Sequence, residues 1–317
     1  MKAQGAPTAG PQRQLRVGLV LPAGVEDAFG RPAFVGLERA VKELAIKGRV
    51  LTPSPREGFL PSFSSLARQA YDLVIGVGAL QADAIDAAAV KFPQTKFAII
   101  DARRAELEHK PKNVSGLVFK EQEIGYLAGY LAARMDQRCQ GRAVISSVGG
   151  ARTASVERYI AGYQAGARRA NPDVTVLNGY ANDFFDPAKC RAVALDQIAK
   201  GSGVVFQAAG ACGLGALEAA REQDVWGIGV DADQSFLGPH ILTSAVKRMD
   251  VAVFTIIQEL REGAFRAGVD SLLSLANGGV ALGKISPKVS HEILAELDEI
   301  RSQIVAGRIR GIPTAPR

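Results

Sequence analysis

LVIGVGALQADAIDAAAVKFPQTKFAII, residues 73–100, decides the fold class. It opens on an apolar run, Leu73–Val77, and continues through a helix-length stretch, Ala79–Lys91, that Pro93 closes. It ends on a second apolar run, Lys96–Ile100. Short runs with no polar alternation read as strands buried on both faces. A strand, a helix and a strand in that order make a parallel pair with its crossover, the unit of a doubly wound α/β sheet.

The same alternation extends in both directions. Upstream lie a strand at Leu15–Leu21, a helix over Ala33–Ile46 that Gly48 stops, a strand at Val50–Thr52 and a helix over Leu60–Ala70. Downstream, a polar stretch (Arg103–Asn113) leads to a strand at Val114–Phe119, and the pattern then restarts. Helices are expected over Glu121–Met135, Ser155–Ala170, Pro187–Ala199 and Leu214–Gln223. Strands are expected at Arg142–Val148, Val174–Leu177, Val204–Phe206 and Val225–Val230. Asp186 and Pro187 supply an N-cap and a first-turn proline for the third of these helices. A strand at Ile241–Ser244, a helix at Asp250–Arg261, a short strand at Gly278–Leu282 and a helix at Ser290–Ala306 complete the chain.

Two runs of one pattern predict two α/β lobes. Residues 15–118 with 246–277 form one, and 119–245 with 278–310 the other; 1–14 and 311–317 read as flexible tails. The lobes are joined by three crossings, near 115–121, 244–247 and 278–283. A ligand then belongs in the crevice beyond the carboxyl ends of the strands.

The chain of 317 residues is 47% hydrophobic and 22% charged, a globular composition. Its charge of +6 is scattered, with Arg103, Arg104, Lys110 and Lys112 as the densest group, which argues against nucleic acid. No apolar run reaches the roughly 18 residues of a membrane span. The opening MKAQGAPTAGPQRQ has neither an apolar signal core nor a lipobox-like cysteine. Cys139, Cys190 and Cys212 lack metal spacing and read as buried or free thiols, with one bridge open if the protein is exported.

No catalytic set emerges. His109, His240 and His291 are far apart, and GxSxG, HExxH and Walker signatures are missing. The glycines of GACGLG (210–215) are wrongly spaced for a dinucleotide fingerprint, so a tight turn that approaches a ligand or simply packs is the better reading. No cofactor or metal is expected. Phe29, Phe34, Phe184 and Phe185 fall at element ends, where they can sandwich a flat ligand or serve as filler.

Nine segments in register carry a family resemblance: EDAFGRPAFVGL (26–37), KFAIID (96–101), NVSGLVFKEQEIGYLAGYLAA (113–133), VGG (148–150), GYQAG (162–166), FFDPAK (184–189), VFQAAGACGLG (205–215), IGVDADQ (228–234) and LTSAVK (242–247). Over about Leu15 to Leu282 the chain resembles the basic membrane protein family, the PnrA-like nucleoside-binding proteins of ABC importers. The resemblance implies a type I periplasmic-binding fold and an extracytoplasmic, lipid-anchored or periplasmic monomer. It implies a purine nucleoside or related flat heterocycle as ligand, and a permease and ATPase as partners.

Position by position, it implies that Phe34 and Phe184 stack on the base and that Asp101 accepts hydrogen bonds. Gly210 is the close backbone approach, and Asp231 and Lys247 hold ribose hydroxyls, unless those two only bridge the hinge. The family's D-x-S-F-N pattern is Glu26-Asp27-Ala28-Phe29-Gly30 here. The acid is therefore Glu26 or Asp27, and Gly30 removes an amide from the cleft. A cytoplasmic small-molecule sensor on the same lobes is the alternative reading.

Overall fold

The computed structural model describes residues 13–54, 56–136 and 143–316. In chain order, the first half gives β1 (Arg16–Val20), α1 (Arg31–Leu44), β2 (Lys47–Leu51), α2 (Leu60–Arg68), β3 (Leu73–Val77), α3 (Ala82–Lys91), β4 (Lys96–Ile100) and β5 (Val114–Phe119). The second half gives α4 (Glu121–Asp136), β6 (Val144–Gly149), α5 (Ala154–Ala170), β7 (Thr175–Tyr180), α6 (Pro187–Ala199), β8 (Val204–Ala208), α7 (Gly213–Glu222), β9 (Trp226–Asp231) and β10 (Ile241–Lys247). The chain closes with α8 (Met249–Arg261), β11 (Ser271–Leu273), β12 (Val280–Leu282) and α9 (His291–Val305).

Two six-stranded sheets result, in the orders β11-β5-β4-β3-β1-β2 and β12-β10-β9-β8-β6-β7. Every pairing is parallel except β10 with β12. The expected type I periplasmic-binding architecture of two doubly wound lobes is the observed one. The two sheets share one winding, so β4 of the first lobe corresponds to β9 of the second. Strand β11 has no counterpart in the sequence reading. Its three residues, SLL, sit beside Gly and Asp and are too short to show a period.

The chain passes between the lobes where strands end. β5 gives way to α4 at Phe119–Glu121, and β10 to α8 at Lys247–Met249. The third passage runs from β11 to β12 across residues 274–279. α8 leaves the second sheet and packs on α1 of the first lobe, closely enough that a Cβ on Gly36 would stand 2.5 Å from the Asp250 carbonyl. α4 and α5 meet more tightly still: a Cβ on Gly129 or Gly166 would lie 1.9 Å from a tyrosine carbonyl of the facing helix. The IGYLAGY and GYQAG segments are therefore helix-packing motifs.

Helix starts follow local chemistry. Asp186 caps α6 by accepting from the Ala188 amide at 3.0 Å, Thr153 caps α5, and Ser290 caps α9. Residues 13, 14 and 312, expected in or beside the flexible tails, are held by contacts. Arg13 pairs with Asp72, Gln14 donates to the Ala45 carbonyl at 2.7 Å, and Ile312 packs against the main core. Among the described residues, no helix is long and apolar enough to cross a membrane.

Candidate functional site: the cleft between the lobes

Strand carboxyl ends from both sheets face one cleft of about 730 Å³, including its solvent-open mouth. That size suits a small ligand. The first lobe contributes Pro22, Asp27, Phe29, the Val77–Leu80 turn and Asp101. The second contributes Thr153, Ser155, Val156 and Tyr159 from the start of α5, then Phe184, Phe185, Ala208, Gly210, Ala211, Val230, Asp231 and Lys247. Most of these are apolar, and the charges gather at the hinge end.

Each lobe supplies a phenylalanine resting on a glycine. A Cβ on Gly78 would stand 3.0 Å from the Phe29 ring, and one on Gly150 would stand 2.4 Å from the Phe184 ring. Glycine at these positions lets a ring settle on bare backbone. Phe34, expected to stack, is not a cleft residue. It lies within α1, half-buried against the core, because the helix begins at Arg31 and turns that position inward. Phe29, in the turn before α1, occupies the cleft instead.

Of the two candidate acids, Asp27 lines the cleft and Glu26 does not. The Asp27 carboxylate accepts from the Phe29 and Gly30 amides at 3.1 and 3.0 Å, a turn that presents Phe29. Glu26 is 81% exposed and pairs outward with Arg31 at 2.6 Å.

Lys247 sits at the bottom, its side chain 1% exposed. Its Nζ donates to both Asp101 oxygens and to Ser155 Oγ, each at 2.9 Å. Glu121 Oε1 lies at 3.4 Å and Asp231 Oδ1 at 3.8 Å. The rings of Phe29, Phe119 and Tyr159 surround the ammonium with centroids 5.4–5.7 Å away. Fully buried Glu121 accepts from Ser155 Oγ at 2.8 Å and from Arg158 Nε at 2.6 Å. The lysine therefore ties Asp101 of the first lobe to α4 and α5 of the second. Its hydrogen bonds go to Asp101 and Ser155, while Asp231 makes only the longer ion pair.

No protein hydrogen bond reaches the Asp231 carboxyl among the described residues. Burial is the chief cause that pushes its pKa up to about 7; Lys247 opposes the rise, while Asp101, Glu121 and Asp27 add to it. Burial also raises Asp101, against the pull of Lys247. Burial disfavours the Lys247 charge, but its three carboxylate neighbours outweigh this and raise its pKa. Asp101 (φ 71°) and Asp231 (φ 64°) both occupy the left-handed region at the ends of equivalent strands. A short polar side chain tolerates that conformation, which turns each carboxyl out of its sheet.

Gly210 (φ 56°) comes close to the Phe184 carbonyl, and the Cys212 amide donates to that carbonyl at 2.9 Å. Behind this loop Cys190 and Cys212 form a disulfide, which corrects the free-thiol reading. Their 22-residue separation carries no signal; α6 and α7 bring them together. Cys139 lies outside the described residues. Glu121, Ser155 and Tyr159 were missed by the sequence reading. The one usable signal was position, since Glu121 opens the helix after the first crossing.

Residues 14–312 match the family described as ABC transporter substrate-binding protein PnrA-like. A curated relative, the ABC transporter nucleoside-binding protein BmpA of Lactococcus lactis, is 31% identical over 319 residues, covering 93% of this chain and 88% of its own. Basic membrane protein A of Borreliella burgdorferi is 30% identical, with 92% and 85% covered. The crystal structure of an ABC transporter solute-binding protein from Aeropyrum pernix K1 superposes with a TM-score of 0.83 at 25% identity, covering 94% of each chain.

Proposed function

The chain belongs to the PnrA-like family of ABC transporter substrate-binding proteins, and from that premise we propose that it captures a purine nucleoside in the interlobe cleft and delivers it to a permease and ATPase. It is a solute-binding protein by family and fold, and such proteins work outside the cytoplasm. The observation that carries the nucleoside reading is the pairing of two phenylalanines with a cluster of carboxyl groups in one cleft. Phe29 and Phe184, one from each lobe, line the cleft, and Asp101, Asp231 and Lys247 gather at one place in it, next to Phe29. A flat base suits the phenylalanines, and a hydroxylated sugar suits carboxyl groups that accept hydrogen bonds. The L. lactis relative is itself described as nucleoside-binding. The buried Cys190–Cys212 bridge supports an oxidising, extracytoplasmic setting.

The test is calorimetry on refolded, ligand-free protein with adenosine, guanosine, inosine, cytidine, adenine and ribose. Saturable binding of the purine nucleosides, tighter than that of ribose, is expected. Failure of every nucleoside and base to bind overturns the reading.

A further inference from the structure

Part of the second lobe's cleft wall is made by two loops, beside the start of α5 and the ends of β9 and β10. One precedes α6 and carries Phe184 and Phe185; the other follows β8 and carries Gly210 and Ala211. A backbone hydrogen bond links them, from the Cys212 amide to the Phe184 carbonyl. Directly behind, Cys190 in the first turn of α6 is bridged to Cys212 at the end of the second loop. Both cysteines are fully buried. Helices α6 and α7 are pressed together at the same place, where a Cβ on Gly215 would stand 1.9 Å from the Pro187 carbonyl.

The corresponding wall of the first lobe has no such tie. There the turn after β3, Gly78–Gln81, is held by a side-chain bond from Gln81 Nε2 to the Val20 carbonyl at 3.2 Å. Both described cysteines, Cys190 and Cys212, lie in the second lobe.

We propose that the Cys190–Cys212 disulfide is a positioning crosslink for ligand capture: it fixes the Phe184 loop against the Gly210 loop, so the second lobe presents a preformed half-site. The proposal rests on the cleft being the capture site. Without the bridge the two loops separate more freely. Phe184 then stands in its binding position for only part of the population, and apparent affinity falls by that fraction. A bridge that served stability alone would leave the affinity of the folded protein unchanged.

The experiment has two parts on the full chain. Thiols of the denatured wild type are first counted by alkylation and mass spectrometry. One reactive thiol without reductant and three with it are expected, because Cys139 is outside the bridge; three without reductant overturns the proposal. Adenosine affinity is then measured at low temperature for the wild type and for Cys190→Ser/Cys212→Ser, with Cys190→Ala/Cys212→Ala as a second version should the serines not fold. Glu296→Ala, which strips Arg134 and Tyr130 of a partner far from the cleft, calibrates what lost stability does by itself.

Binding about tenfold weaker in the bridge variants, with Glu296→Ala near wild type, supports the positioning role; a tenfold loss corresponds to a competent population of about one tenth. Wild-type affinity in a folded bridge variant overturns it. Weakening of Glu296→Ala by as much as the bridge variants also overturns it. A wild type that binds no nucleoside, with the bridge present, instead overturns the capture reading on which the proposal rests.

Discussion

The ammonium of Lys247, at the end of a second-lobe strand, is held 2.9 Å from both carboxylate oxygens of Asp101, at the end of a first-lobe strand. This contact joins the lobes beside one of the chain crossings. Two further carboxylates, Glu121 and Asp231, and one further cation, Arg158, complete the group. Removing the lysine strands Asp101 and Asp231, while Glu121 keeps Arg158 and Ser155. Lys247→Met is expected to cost about 3–5 kcal/mol, the range for breaking a buried ion pair from one side. Asp101→Asn should cost less, because the amide keeps one acceptor for Lys247 and Asn tolerates the left-handed backbone at φ 71°. Urea unfolding of both variants checks the order; equal losses would count against the asymmetry argued here.

The phenylalanines make a second expectation. Phe29→Ala and Phe184→Ala should each weaken adenosine by about 1–3 kcal/mol, the range for stacking of a base on an aromatic ring. Phe34→Ala should leave affinity nearly unchanged and lower stability, since its ring packs into the core from α1. Calorimetry and thermal melts on the three variants separate these. A binding loss at Phe34 equal to that at Phe29 would contradict the placement of the cleft wall.

The contrast between Phe29 and Phe34 also shows where sequence reading stops. The strands Leu73–Val77, Lys96–Ile100 and Val114–Phe119 were legible to the residue, because each is a continuous apolar run between polar or Gly/Pro boundaries. Asp101 and Asp231 were legible as cleft acids because a carboxylate just past a buried strand has one place to go. Phe34 misled because the four residues between Phe29 and it conceal the start of α1, and a helix rotates each successive position by about 100°. The Cys190–Cys212 bridge and the Lys247–Asp101 pairing depend on how helices and lobes come together. Spacing along the chain does not encode such contacts.

Asp231 has a role that binding selectivity can test. Its carboxyl faces the cleft with no protein hydrogen bond among the described residues, so it is free to bond ligand hydroxyls, whereas the Lys247 donors are already engaged. Asp231→Ala should weaken adenosine by about 2–5 kcal/mol, the range for truncating one partner of a buried charged hydrogen bond. Adenine, which lacks the diol, should lose far less. Titrating both ligands against the variant decides the matter; equal losses would remove the sugar-binding role.

The same carboxyl predicts how stability responds to pH. Its native pKa is pushed up to about 7 from 3.8, with burial as the chief cause and Asp101, Glu121 and Asp27 outnumbering Lys247 around it. Between those two values the folded protein holds a proton that the unfolded chain has released. The stabilisation is therefore complete below about pH 4, declines as pH rises, and is gone above about pH 7. At 1.36 kcal/mol per pKa unit the loss attributable to Asp231 is on the order of 4 kcal/mol. Asp231→Asn replaces the acid with a neutral amide of the same shape, and asparagine also accepts the left-handed backbone at φ 64°. The variant should lack this slope, so its stability relative to wild type should climb between pH 5 and pH 8. Whatever slope remains belongs partly to Asp101, whose pKa burial also raises. Urea midpoints of both proteins across that interval give the answer. Parallel pH profiles for the two would show that Asp231 releases its proton in the ordinary carboxylate range.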